Sequence, residues 1–207
     1  MLLARAPARV LLVDLAGEGV SQDPAPMWDR SRRAADIRLE GARASCLVEG
    51  QEATDHVRAH LDLALALDSI GGARQSLEET IAYLGVRQQF GRPIGSFQAL
   101  KHRAADHKVA LEMAAALARH ATVSFATPLG LGGLIAGQAR LLANQAYRAI
   151  SEDAVQLHGG IGFTWEQDCH LFLKRAWLNE VLFGVPEQRR DELAPKLLAR
   201  VAADRPG

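Results

Sequence analysis

At Gly50 the chain changes character, and that change constrains the fold more than any other feature of its 207 residues. Before it, Ala8 to Leu15 is rich in leucine and β-branched residues, and Asp36 to Glu40 alternates polar with apolar side chains, so both segments read as strands. Gly17, Gly19, Pro24 and Pro26 predict turns and loop between them. Two or three such strands are marginal alone in water, so this sheet needs a second sheet or a helical surface. After Gly50 good helix formers dominate and apolar residues recur at spacings of three and four. The expected helices run from about Thr54 to Arg87, Ser96 to Phe125, Gly133 to His158 and Glu166 to Phe183. A fifth begins with Pro186 in its first turn and ends near Ala203. Their ends coincide with Gly91, Pro93 and Gly95, with Thr127-Pro128, with Gly159-Gly160 and with Gly184. Four long helices on short loops predict a mainly α protein, an antiparallel four-helix bundle with the fifth helix as an appendage, preceded by a small β-sheet. On the first helix Val57, Leu61, Ala64, Ile70, Leu77, Ile81 and Leu84 mark the expected inner face, and Gly71-Gly72 signals close packing against a neighbour.

Composition removes several classes of function. Lys and Arg number 24 against 24 Asp and Glu, which provides no basic footprint for nucleic acid or an anionic membrane. Cys46 and Cys169 stand far apart with no CxxC spacing, so neither a disulfide framework nor a zinc site is signalled, and a cytoplasmic setting is expected. The apolar N-terminal stretch is interrupted by Arg5, Arg9 and Asp14 and is too short to span a bilayer. His56 and His60 share a helix face, but no third ligand stands at a suitable spacing, so they read as surface histidines and no metal is expected.

Two segments carry chemistry. In Arg87-Gln88-Gln89-Phe90-Gly91-Arg92-Pro93-Ile94-Gly95-Ser96-Phe97-Gln98, guanidinium, amide and aromatic groups cluster in a Gly/Pro loop between helices. Arginine suits a pyrophosphate through paired hydrogen bonds, and phenylalanine packs on a ring; alternatively the loop is a plain turn with Phe90 and Phe97 as core plugs. Gly159-Gly160-Ile161-Gly162 follows a helix and lacks the strand-to-helix context of a dinucleotide fingerprint, so it is either a helix terminator or a place where backbone approaches a ligand. Asp68, inside an apolar run, reads as a structural carboxylate with a partner.

RQQFGRPIGSFQALKHRAAD, followed by AVQLHGGIGFTWE, resembles the C-terminal helical domain of the acyl-CoA dehydrogenases, and VLLVDL with ADIRLEGARAS resembles the end of that family's middle β-domain. The resemblance implies residues 1–50 as a remnant of the β-domain and residues 51–207 as the helical domain. It implies FAD as cofactor, with Arg87, Phe90, Gln98, Gln156, His158, Gly159 and Gly160 as the residues that hold it. The implied reaction is α,β-dehydrogenation of an acyl-CoA thioester: a carboxylate removes the α-proton while the β-hydrogen leaves as hydride to the flavin.

The position of the family's usual glutamate base reads Phe183 here, within Leu182-Phe183-Gly184-Val185, and the alternative position on the first helix reads Leu61. Neither side chain accepts a proton. Glu180 is a weak candidate for a relocated base, with Glu187 and Asp62 also nearby in sequence. The leading expectation is therefore an FAD-dependent acyl-CoA dehydrogenase-like subunit without its own catalytic glutamate. It would work in a homo- or hetero-oligomer with another dehydrogenase subunit and pass electrons to an electron-transfer flavoprotein or similar acceptor. The alternatives are a competent dehydrogenase with a relocated carboxylate and a non-catalytic helical dimerisation module. Family members run to nearly twice this length, so the expectation also includes a cut through a larger architecture, leaving the first strand without a partner.

Overall fold

A computed structural model describes residues 2–6, 9–125 and 131–203 of the chain. It divides into two compact units, Met1–Leu61 and Asp62–Gly207. The expected boundary at residue 50 falls where the first helix begins, and the division between units lies one third of the way along that helix.

In the first unit, β1 (Leu2–Ala6), β2 (Arg9–Val13) and β5 (Ala44–Glu49) form an antiparallel sheet in the order β1-β2-β5. The strand expected to lack a partner is thus paired along both edges, through Leu3↔Leu12 on one side and Leu12↔Ser45 on the other. The β2–β5 register shifts between Val10 and Leu11, which leaves Leu47 of β5 without an opposite residue, and both Val10 and Val13 of β2 are buried. β3 (Val20–Ala25) pairs with β4 (Ala34–Leu39) in a separate two-stranded ribbon. The loop expected around Pro24 is therefore strand. Proline lacks an N–H, which an edge strand does not need on its outer side, and a two-stranded ribbon consists of edges only.

Five helices follow among the described residues: α1 (Gln51–Val86), α2 (Gln98–Phe125), α3 (Gly132–His158), α4 (Cys169–Val181) and α5 (Pro186–Ala203). Thr127-Pro128, the expected stop after α2, lies outside the described residues. The α4 start shifts from Glu166 to Cys169, because the α3 end continues as a 3-10 segment, Gly159–Phe163, that closes on Thr164. Side-chain pairs fix the helix directions. Ser69 meets Asn144, Gly72 abuts Tyr147 and Tyr83 stacks on His158, so α1 and α3 run parallel. His107 meets Asp153, and Asn144 reaches the Asn179 carbonyl while Arg140 reaches that of Leu182, so α2 and α4 run antiparallel to α3. This is the expected antiparallel bundle, with α5 lying beside α3, where Leu193 packs against Gly137.

The bundle core is small-residue rich: Ala66, Ala73, Ala114, Ala118, Ala139, Ala143 and Ala176 surround Ile70, Leu77, Leu111, Tyr147 and Ile150. Gly72 belongs to it, since a Cβ there would run into the Tyr147 phenol; Gly71 has open space around it. The inner face of α1 differs from the expected one. Leu61 and Ile81 are exposed, whereas Asp62, Ser69, Ser76 and Thr80 are buried among Leu65, Ala66, Ile70, Leu77 and Leu84. Apolar spacing misplaced the face because part of the real seam is polar. Among the described residues, no helix is long and apolar enough to cross a membrane.

Candidate functional site

After α1 the chain forms a minimal hairpin, β6 (Gln88–Gln89) against β7 (Arg92–Pro93). Phe90 (φ 53) and Gly91 (φ 74) occupy its tip, both left-handed, as the tight primed turn requires. Such a backbone is unusual for phenylalanine. Phe90 is 91% exposed, so it is no core plug. Its ring meets Phe97 edge-on at 6.1 Å, and the Arg92 guanidinium lies over Phe97 at 4.1 Å. The Arg87 main chain is fixed from both sides: its N–H donates to the Tyr83 carbonyl (2.9 Å) and its carbonyl accepts from Ile94 (2.8 Å). Its residue surface remains exposed, as does that of Gln98 at the first position of α2.

The second segment arrives at the same end of the bundle through an aromatic contact. Tyr83 stacks on His158 with ring centroids 4.3 Å apart and an interplanar angle of 22°. The Tyr83 hydroxyl donates to the His158 carbonyl at 3.4 Å. His158 Nδ1 lies 2.7 Å from the Ala154 carbonyl and therefore carries its proton there. Arg87 is one helical turn beyond Tyr83, and Gln156 half a turn before His158. Tyr83 thus ties together two motifs about seventy residues apart, a tie that no single-residue pattern signalled beyond an aromatic four places before Arg87. Gln156, Gly159 and Gly160 are exposed, and a Cβ built on either glycine meets nothing within 4 Å, so the backbone there is open to approach. His158 differs from the other six expected residues: it is buried, and anchors the segment from below.

A polar clasp lies between α2 and α3, below this end. The Asp153 carboxylate accepts from His107 Nε2 (2.9 Å) and is ion-paired with Arg103. Burial, and then the Arg103 charge, lower the His107 pKa below its ordinary value, with Asp106 opposing in part.

The acid positions lie elsewhere on the bundle. Phe183 follows α4 in the left-handed region (φ 59) and is half-exposed. Glu180 is ion-paired to Arg148, with oxygens 3.0 and 3.3 Å from Nη1. The hydrogen bond to Glu152, and then the Glu180 charge, raise the Arg148 pKa. Glu187 pairs with Arg190 at 3.5 Å. Asp62 is fully buried between Arg140 (3.0 Å) and Arg189. Asp68 accepts from Asn179 (2.7 Å), with Arg175 at 3.5 Å, as expected of a structural carboxylate. The buried polar residues Arg140, Asn144, Asn179 and Arg189 were not foreseen. His56 and His60 are exposed, and no cluster of three metal-ligating side chains exists among the described residues.

The sequence profile described as acyl-CoA dehydrogenase, C-terminal domain, matches residues 51–198. Acyl-CoA dehydrogenase IpdE2 of Mycolicibacterium smegmatis is 39% identical over 185 residues, covering 86% of this chain and 56% of that protein. Among solved structures, a variant of the Tcur3481-Tcur3483 steroid ACAD superposes with a TM-score of 0.85 at 27% identity, over 95% of this chain and 53% of that one. The ChsE4-ChsE5 complex from Mycobacterium tuberculosis shares the fold, with a TM-score of 0.81 at 23% identity over 96% of this chain and 53% of that one. The chain thus spans about half the length of the relatives it matches.

Proposed function

Because the chain belongs to the acyl-CoA dehydrogenase family, we propose that it is an FAD-dependent subunit for α,β-dehydrogenation of an acyl-CoA thioester, and that a partner subunit supplies the proton-abstracting carboxylate. The observation that carries this reading is a division within one bundle. At one end the groups suited to a dinucleotide are present and accessible; at the position of the family's base there is a phenyl ring.

The residues present fit FAD. Arg87 offers a fork of N–H donors to a pyrophosphate, and the open backbone at Gly159 and Gly160 lets it approach. Gln98 and Gln156 offer amide donors and acceptors to ribose and adenine, and the Phe90 ring is exposed for packing. His158 and Tyr83 hold the glycine segment in place. When bound, FAD supplies the hydride acceptor. Of the nearby acids, Glu180 is tied to Arg148 and Asp62 is enclosed by two arginines, which disfavours a relocated base. A positioned base contributes on the order of 10²–10⁴-fold in rate, so the chain alone should be nearly inactive. Similarity to the Tcur3481-Tcur3483 steroid ACAD favours a bulky acyl-CoA and a hetero-oligomer with a second dehydrogenase subunit. Electrons would then pass to an electron-transfer flavoprotein or similar acceptor.

The test is co-expression with a family member that carries the glutamate, followed by an absorption spectrum and an assay with an artificial electron acceptor. A yellow complex that turns over, beside an inactive single chain, is the expected result. Full turnover by this chain alone refutes the supplied base; loss of that turnover in Glu180→Gln would assign the base to Glu180. Protein that stays colourless with FAD, with and without the partner, refutes the flavin site and leaves the dimerisation module.

A further inference from the structure

We propose that Arg140 is a positioning residue that holds the Leu182–Gly184 turn, and with it position 183, in a left-handed conformation which a phenylalanine would otherwise leave. Phe183 has φ 59, a region where its Cβ crowds the following carbonyl, and the residue is 52% exposed, so burial provides limited compensation. The holding force comes from below. Arg140 on α3 is 1% exposed, and its Nη2 donates to two carbonyls of the turn, those of Leu182 and of Gly184 (2.8 Å). These carbonyls belong to the peptide groups on either side of the Phe183-Gly184 pair. Fixing both on one nitrogen restricts the torsions between them.

The guanidinium is itself held. Its Nη1 donates to Asp62 Oδ1 at 3.0 Å, and the other Asp62 oxygen accepts from Arg189, which pairs with Glu192 at 2.7 Å. Two arginines and two carboxylates balance in charge, so Arg140 remains in the core with both terminal nitrogens of its fork engaged. Arg189 stands just after the turn, and its N–H donates to the Val185 carbonyl at 3.1 Å. The turn is therefore gripped from α3 and closed by the first turn of α5. Arg140 dictates how the side chain at 183 leaves the bundle, whatever that side chain is. This inference stands on the chain's own geometry and does not depend on flavin or a partner.

The test compares glycine with alanine at position 183 in the full chain. Both substitutions delete the ring, so they differ only in tolerance of a left-handed backbone. Where φ is positive glycine is the better residue, and elsewhere alanine is, because glycine loses more conformational entropy on folding. Phe183→Gly should therefore melt above Phe183→Ala in the native background. In an Arg140→Lys background, where one ammonium keeps the charge beside Asp62 but cannot reach both carbonyls, the order should reverse. Hydrogen exchange is the second readout. The Gly184 amide, bonded to the Val181 carbonyl at 3.1 Å, should exchange about tenfold faster in Arg140→Lys while amides of Tyr147 to Ser151 stay protected. If Arg140→Lys does not fold, Arg140→Gln, which leaves Asp62 paired with Arg189 and adds no charge, should show the same reversal. An unchanged glycine-over-alanine order in the arginine variants, or exchange that accelerates evenly through the bundle, overturns the proposal.

Discussion

His107 provides a sharp test of the electrostatics between α2 and α3. It sits among Arg103, Asp106, Glu152 and Asp153, and its ring nitrogen is 2.9 Å from the Asp153 carboxylate. A histidine beside a carboxylate would ordinarily gain a proton more easily. Here burial, followed by Arg103, lowers its pKa, because Arg103 already neutralises Asp153. The sign of the linkage follows. The unfolded chain binds the His107 proton near pH 6.5 and the folded chain only at lower pH, so between these values the unfolded state holds more protons. Stability is fully present above pH 6.5 and is lost as the pH falls below it. One proton sets a ceiling of about 1.4 kcal/mol per pH unit, and the side chain, 19% exposed, should realise only part of that because solvent screens it. The perturbation is His107→Gln, whose amide can still donate to Asp153 and which does not titrate. Urea unfolding of both proteins from pH 8 to pH 5 isolates the effect, since the other histidines, including His170 with its own lowered pKa, are common to both. The wild-type midpoint should fall more steeply than that of the variant below pH 6.5. Parallel profiles would refute the lowered pKa, and a wild type that gains on the variant with acid would show that Asp153 attracts the proton after all.

Three further outcomes follow from the packing and the site. Gly72→Ala drives a methyl group into Tyr147 and should destabilise the bundle by about 1–3 kcal/mol, read as a lower urea midpoint at unchanged slope. Leu111→Ala empties a fully buried site at the alanine-rich centre and should cost about 2–5 kcal/mol in the same assay. Phe90→Ala, at an almost fully exposed ring, should leave stability within about 0.5 kcal/mol yet weaken FAD retention in the complex, measured by flavin fluorescence on dilution. Unaltered retention removes Phe90 from the cofactor site.

The helix ends were legible because backbone chemistry sets them: Gly159 caps α3 in a positive-φ conformation, and Pro186 opens α5. The strands were less so. β3 carries Pro24, which marks a loop in a wide sheet but is tolerated in a two-stranded ribbon, and β5, exposed along its whole length, has no buried face to impose a pattern. The candidate site was legible as residue types in two segments and illegible as a place, since the Tyr83–His158 stack that joins them links residues seventy-five apart.

The misreading of the α1 face points to what determines the register of the bundle. Alanine packs tightly against alanine but specifies little, because a helix of small residues can slide past another with small loss. The selective contacts here are polar. Ser69 donates to Asn144 at 2.8 Å, Asn179 donates to Ser69 at 2.9 Å, and Asn144 donates to the Asn179 carbonyl at 3.0 Å, closing a ring across α1, α3 and α4. Asp62 and Arg140 add a second α1–α3 pair two turns away. Each buried group left unpaired would cost about 1–3 kcal/mol, more for a charge, so any slipped register forfeits several such bonds at once. These residues pair across more than thirty positions and leave no trace in hydrophobic periodicity, which reads them only as interruptions of an apolar face. The same ring aligns α4 with α3, and the separate Asp62–Arg140 pair sets the turn at Phe183. The polar seam that obscured the core in the sequence is therefore what places the turn in the fold.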